Sequence, residues 1–202
     1  MTTYAFPTLT RRAPLQMEWT LQANTQAFTS PLSRAVQTYE LPGARWRVSL
    51  PYYNLRDPDA ALLQAFLVSL RGRANRFTVH PMARPRPRGV ATGAPMVAGA
   101  GQSGSTLATD GWTPNVIGIL KAGDFIGVNG ELKMIVADVS SNGIGQATLT
   151  FEPPLRASPA DNALITTSQP TATFMLDEDA SSWTTRAPGV SDFQIVATEA
   201  WS

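Results

Sequence analysis

Three residue pairs that accept positive φ, Asp110-Gly111, Asn129-Gly130 and Asn142-Gly143, punctuate the middle of the chain and leave no room there for a long helix. Among them lie "DFIGV", "LKMIVADV" and "QATLTF", apolar-rich runs of hairpin length. From Gly89 to Gln169 the composition is rich in Gly, Ala, Ser and Thr, and no helical pattern emerges. A small all-β barrel or sandwich is the expectation for this segment. The "EPPLR" run, Glu152 to Arg156, is expected to end its last strand, since consecutive prolines cannot continue a central strand.

The flanking segments have a different character: strands with one helix. In "LQMEWTL", Leu15, Met17, Trp19 and Leu21 alternate with polar neighbours, and in "RWRVSL" Trp46, Val48 and Leu50 do the same. Arg45, Arg47 and Ser49 then occupy the opposite, solvent-facing side. "DPDAALLQAFLVSLRG" predicts a helix over 58–71, with Asp57 as N-cap, Pro58 at the first helical position and Asp59 in the first turn. Leu62, Leu63, Phe66, Leu67 and Leu70 recur at helical spacing as its buried face, and Gly72 supplies a stop. "RFTVH" follows as a strand, and after Pro170 "TATFML" and "FQIVATEAW" return to strand character, joined by "DEDASSWTTRAPG". The expected organisation is a discontinuous domain of residues 1–88 and 170–202, with residues 89–169 inserted as a module.

At the seam stands "HPMARPRPRG", His80 to Gly89, with Arg84, Arg86 and Arg88 interleaved with prolines. Alternating proline predicts an extended, polyproline-like strut between the two units, its arginines keeping it solvated. The charge is uneven on either side. Up to Arg88 there are twelve arginines against Glu18, Glu40, Asp57 and Asp59; beyond it, Lys121, Lys133, Arg156 and Arg186 face eleven acidic residues. Such asymmetry fits either nucleic acid at the basic end or copies of the chain meeting head to tail.

Reactive chemistry finds little footing. With no Cys, disulfides and thiolate metal sites are excluded, and His80 is the sole histidine, with no G-x-S-x-G elbow near it. Gly99, Gly101 and Gly104 match the G-x-G-x-x-G spacing, but Ser105 stands where a phosphate loop needs lysine, and "TLATDGWTP" is β-prone where a helix should follow. A flexible loop is the better reading. Asp177, Glu178 and Asp179 lack the spaced ligands of a calcium loop and read as an acidic surface turn. No catalytic, cofactor-binding or metal-ligating residue is assigned, and no cofactor is expected. Nucleic-acid binding would draw on the arginines with Trp46, Tyr52, Tyr53 and Phe77 as stacking surfaces. "MTTYAFPTLTRR" contains no signal-peptide core and no segment reaches membrane-span length, so a soluble protein made in the cytosol is expected.

One stretch carries a resemblance. "LKAGDFIGVNGELKMIVADVSSNGIGQATLTFEPPLR", residues 120–156, with "LATDGW" upstream and the helix-end "LQAFLVSLRGRANRF", resembles minor tail proteins of long-tailed bacteriophages, in particular the distal tail protein family. The resemblance implies a virion structural protein, not an enzyme: a homo-oligomer, commonly a hexameric ring, joining the tail tube to the tail tip or baseplate. It implies a mainly β fold with one clear helix, in which a tail-tube-like β-sandwich ring domain bears a small inserted β-barrel or sandwich. The partners implied are the tail tube protein and the hub proteins of the tip. The location implied is the virion tail tip, after synthesis in the host bacterial cytoplasm. DNA would pass through the lumen without specific binding, so the arginine-rich face should lie outside or at subunit contacts. The alternative is a carbohydrate-binding host-adhesion module using exposed aromatics such as Trp112.

Overall fold

A computed structural model describes residues 1–10, 14 and 16–201. Arg11, Arg12 and Leu15, named in the charge and strand patterns above, lie outside the described residues. In chain order the elements are β1 (Thr3–Ala5), β2 (Glu18–Gln22), β3 (Thr25–Thr29), β4 (Val36–Glu40), β5 (Arg45–Leu55), α1 (Asp59–Leu70) and β6 (Arg76–Val79). There follow β7 (Gly93–Val97), β8 (Gly104–Trp112), β9 (Phe125–Val128), β10 (Glu131–Ile135), β11 (Ala147–Leu155), β12 (Ala172–Leu176), β13 (Trp183–Arg186) and β14 (Val190–Glu199). The fold is mainly β with a single helix among the described residues, its sheets of the sandwich and barrel kind.

Strands from the two ends of the chain share one seven-stranded sheet, ordered β1-β6-β12-β14-β5-β2, with β13 paired to β14. The alternation in β5 works as its sequence implies: Trp46, Val48 and Leu50 are buried while Arg45 and Arg47 face solvent. On β2, at the sheet edge, Trp19 and the preceding Met17 pack on the core, but Leu21 is 37% exposed. An edge strand with one neighbour has little to cover its end.

Helix α1 departs from its expected frame at both ends. Pro58 is the cap residue, without a side-chain capping bond, so Asp57 is not the N-cap. Asp59 is instead buried, accepting the Thr10 N–H at 2.9 Å. Leu63, Phe66, Leu67 and Leu70 pack inward, whereas Leu62 is 48% exposed. The buried stripe is completed by Asp59 and Ala60 instead of Leu62. Arg71 adopts the left-handed conformation ahead of Gly72, and both have positive φ.

The middle of the chain forms a five-stranded sheet, β7-β8-β11-β10-β9. Residues 162–166 close it. Leu164 bridges Met96 on one edge and Thr166 bridges Gly127 on the other, so one short segment ties both edge strands together. Asn129 and Gly130, both at positive φ, make the two-residue turn between β9 and β10, with Val128 opposite Glu131. The other two pairs behave differently. Asp110-Gly111 lies inside β8 at an irregularity against β7, where a Cβ on Gly111 would meet the Ala94 carbonyl oxygen at 2.3 Å. Asn142-Gly143 belongs to a wider loop in which the Asn142 side chain accepts from Ile144 N and Gln146 N.

β11 also runs through Pro153 and Pro154 to Leu155, although it lies inside the sheet. The missing amides are accommodated by a register irregularity between Thr150 and Leu155 and by the end of the β10 pairing at Glu152. The expected stop at the double proline is therefore a bulged continuation.

Two apolar cores result. The first lies between the seven-stranded sheet and α1, built on Phe77, Phe174, Leu50, Leu63 and Leu70, all fully buried. Each such side chain contributes about 1.5–3 kcal/mol. The second fills the five-stranded sheet around Leu107, Ile126, Leu149 and Phe151. Phe125 and Leu132 of the second sheet are members of the first core, and Phe125 lies 5.9 Å from Trp19 and 5.7 Å from Trp46 between ring centres. The two sheets thus share apolar cover.

The arginine–proline stretch is not an extended strut. It bends repeatedly between Met82 and Gly89 and is stitched to residues 121–125. The Asp124 carboxylate accepts the backbone N–H groups of Arg88 (2.7 Å), Gly89 (3.1 Å) and Lys121 (2.8 Å). Arg84 donates to the Gly123 carbonyl and Arg88 to that of Ala122, while the Arg84 guanidinium lies 5.7 Å from the Phe125 ring centre. Prolines remove donors and fix φ, so the segment obtains its hydrogen bonds from side chains and a neighbouring loop instead of a ladder.

Candidate functional site

Most residues weighed as chemical candidates are used by the fold. His80 follows β6, half-buried, and burial holds its pKa below the ordinary imidazole value. The Gly99–Ser103 loop joins β7 to β8 as a hairpin, with strand instead of helix after it. Gln102 spans this loop, donating to the Ala98, Gly99 and Ala108 carbonyls and accepting from Ala108 N. Asp177 binds Arg47 at 2.7 Å and accepts from Thr198 at 2.5 Å; Asp179 accepts the Arg73 N–H at 3.1 Å. That acidic turn fastens β12 to β5 and to the end of α1. No group of three or more His, Cys, Asp or Glu is arranged to hold a metal ion among the described residues.

The aromatic candidates are mostly interior. Trp46, Tyr52 and Phe77 are buried, leaving Tyr53 alone of the four exposed. Burial also pushes the Tyr52 phenol pKa up. Trp112, named as an exposed aromatic for sugar binding, is buried and donates its indole N–H to Thr109 Oγ1 at 2.8 Å. Its place at the end of β8, just after the irregular Asp110-Gly111 step, turns it inward; strand-end position by itself did not reveal that.

Where the two sheets meet, a buried polar network adjoins the shared apolar cover. Glu131 and Lys133 on β10 pair at 2.5 Å, with Lys133 fully buried and its ammonium also donating to the Pro154 carbonyl. Desolvation lowers the Lys133 pKa, opposed by Glu131. Glu131 also accepts the backbone N–H groups of Arg156 and Ala157. Arg156 forms an ion pair with buried Glu199, which accepts Trp46 N at 3.0 Å. The Arg156 guanidinium lies 4.9 Å from the centre of the Trp201 ring. Beside it opens a cleft of about 580 Å³, walled by Leu41, Pro42, Gly43, Pro154, Leu155 and Trp201, with Glu40 at its rim.

The element that sequence reasoning missed is the hairpin β3–β4. It pairs with neither sheet, and every one of its strand residues is exposed. Phe28 and Tyr39 are each 67% exposed, Val36 60%, and Leu32 at the turn 97%. The strand register puts Phe28 and Tyr39 on one face, beside Gln26 and Gln37. The turn is firmly built: Ser30 N donates to Ala35 O, and Arg34 N to Ser30 O, each at 2.9 Å. The signal available in the sequence was a strand-prone polar run bearing isolated large apolar residues, which alternation counts overlook.

No protein-family model and no curated protein matches the chain. No helix is long and apolar enough to cross a membrane among the described residues.

Proposed function

We propose that the chain is a structural subunit of a bacteriophage virion: a distal tail protein whose copies form a ring, hexameric by resemblance, between the tail tube and the tail tip or baseplate. The carrying observation is the projecting β3–β4 hairpin, whose Phe28, Leu32, Val36 and Tyr39 have no cover from either sheet. Large apolar groups held out on a regular arm suit contact with another protein surface. The resemblance of residues 120–156 to minor tail proteins supplies the kind of assembly.

In this reading residues 1–88 and 170–202 build the ring and residues 89–169 form a module on its outside, facing neighbouring tip proteins. Each subunit meets the next through two different faces, as a closed ring requires. DNA crosses the lumen without specific contacts, and function follows from shape instead of turnover. The charge asymmetry contributes less to assembly than the sequence implies, because Arg47 already pairs with Asp177 within the chain, and Arg84 and Arg88 hold backbone carbonyls. Negative-stain micrographs of the purified chain test the reading. Annular particles of uniform subunit number are the expected result; single small particles at all concentrations contradict it.

A further inference from the structure

Two features of the surface are unfilled and complementary. One is the hairpin tip, Ser30–Ala35, with Leu32 almost wholly exposed. The other is the apolar cleft beside Trp201, about 580 Å³, ample for a leucine and its neighbouring proline. Within one chain they cannot meet. Glu40, Leu41 and Pro42 at the cleft are the root of the same hairpin, and a five-residue strand separates root from tip by roughly 17 Å at the usual rise per residue.

We propose that the hairpin tip of one copy inserts Leu32 into the Pro42–Trp201 cleft of the next copy. This rests on the ring reading and specifies its subunit contact. Charge fits the same pairing. Arg34 is the only charged residue between Thr25 and Tyr39, so the arm carries a single positive charge. At the cleft Arg156 is neutralised by Glu199, while exposed Glu40 makes no ion pair among the described residues, so the rim is left negative. Arg34 of the incoming tip can therefore meet Glu40 of the receiving root. The contact is heterologous and uses each feature once per subunit, so it can repeat around an axis. The tip needs little ordering on docking, since its turn is already hydrogen-bonded.

The chain lacks cysteine, which makes the contact directly testable. A variant carrying both Leu32→Cys and Pro42→Cys is oxidised under mild conditions and run on a denaturing gel without reductant, beside each single variant and alongside its native mass. The expected result is a ladder of covalent multimers from the double variant. The two single variants, mixed, should give a covalent dimer that contains one of each. Rings in the native mass with no such cross-linking overturn the arm-to-cleft contact and leave the ring reading standing. Absence of any assembly in the unsubstituted chain, weighed in parallel, overturns both.

Discussion

The Trp46 indole N–H donates to the backbone carbonyl of Leu132 at 2.9 Å, a buried bond between β5 of the seven-stranded sheet and β10 of the five-stranded one. A large ring thus both fills apolar space and satisfies a carbonyl across the junction. Trp46 N is bound as well, to Glu199, so this one residue connects three strands. Trp46→Phe keeps an aromatic ring but removes the indole donor and some buried volume, leaving the Leu132 carbonyl without that donor. The expected loss is about 1–3 kcal/mol of unfolding free energy, read from urea denaturation.

The sole histidine reports on acid sensitivity. Burial favours the neutral imidazole of His80 in the folded protein, so its pKa lies below the ordinary 6.5. The unfolded chain then takes up the proton first as pH falls. The stability this group contributes is present above pH 6.5 and is lost as pH drops through the window beneath it. A proton NMR titration sees one imidazole and should place its midpoint below 6.5, and His80→Gln should flatten the stability profile over that window. A midpoint at or above 6.5 contradicts this.

Asp124 holds the arginine–proline segment through three backbone N–H groups. Asp124→Ala removes a charged acceptor, and hydrogen bonds to charged groups contribute about 1.5–3 kcal/mol each. A loss on the order of 3 kcal/mol is expected, with the segment freed. Trypsin reads the second effect cleanly. It spares Arg84-Pro85 and Arg86-Pro87, so Arg88-Gly89 is the one arginyl bond of the stretch open to it. Cleavage there should accelerate in the variant and stay slow in the native chain.

Much of this architecture was legible in the residues, for identifiable reasons. The alternation of Trp46, Val48 and Leu50 survives because β5 lies between β2 and β14 with one face on the core. The Asn129-Gly130 turn was readable because both residues accept positive φ and the strands around it are short. Other features depend on distant partners. Asp110-Gly111 looks like a turn until β7 lies against it, and Pro153-Pro154 looks like a stop until an irregular register takes up the missing amides. Trp112 and Leu62 were assigned to the wrong environment for the same reason: burial is decided by the neighbour, which local periodicity does not contain. The β3–β4 arm escaped notice because a hairpin exposed on both faces has no alternation to read.

The arm also separates stability from assembly. Its apolar residues touch neither core, so Phe28→Ser, Leu32→Ser and Tyr39→Ser should each alter unfolding free energy by no more than about 0.5 kcal/mol. The same changes should weaken self-association if the arm carries the contact. Charge reversal at Arg86 is the companion control. Reversal at Arg84 or Arg88 would also disturb the segment's own bonds to Gly123 and Ala122.

Sedimentation velocity of the native chain beside the Leu32→Ser variant, over a hundredfold range of concentration, weighs the account most directly. A discrete multi-subunit species in the native chain, reduced to folded monomer by Leu32→Ser, is the result predicted. A native chain that sediments as a 21.7 kDa monomer throughout, or an assembly indifferent to the variant, contradicts assembly through the arm.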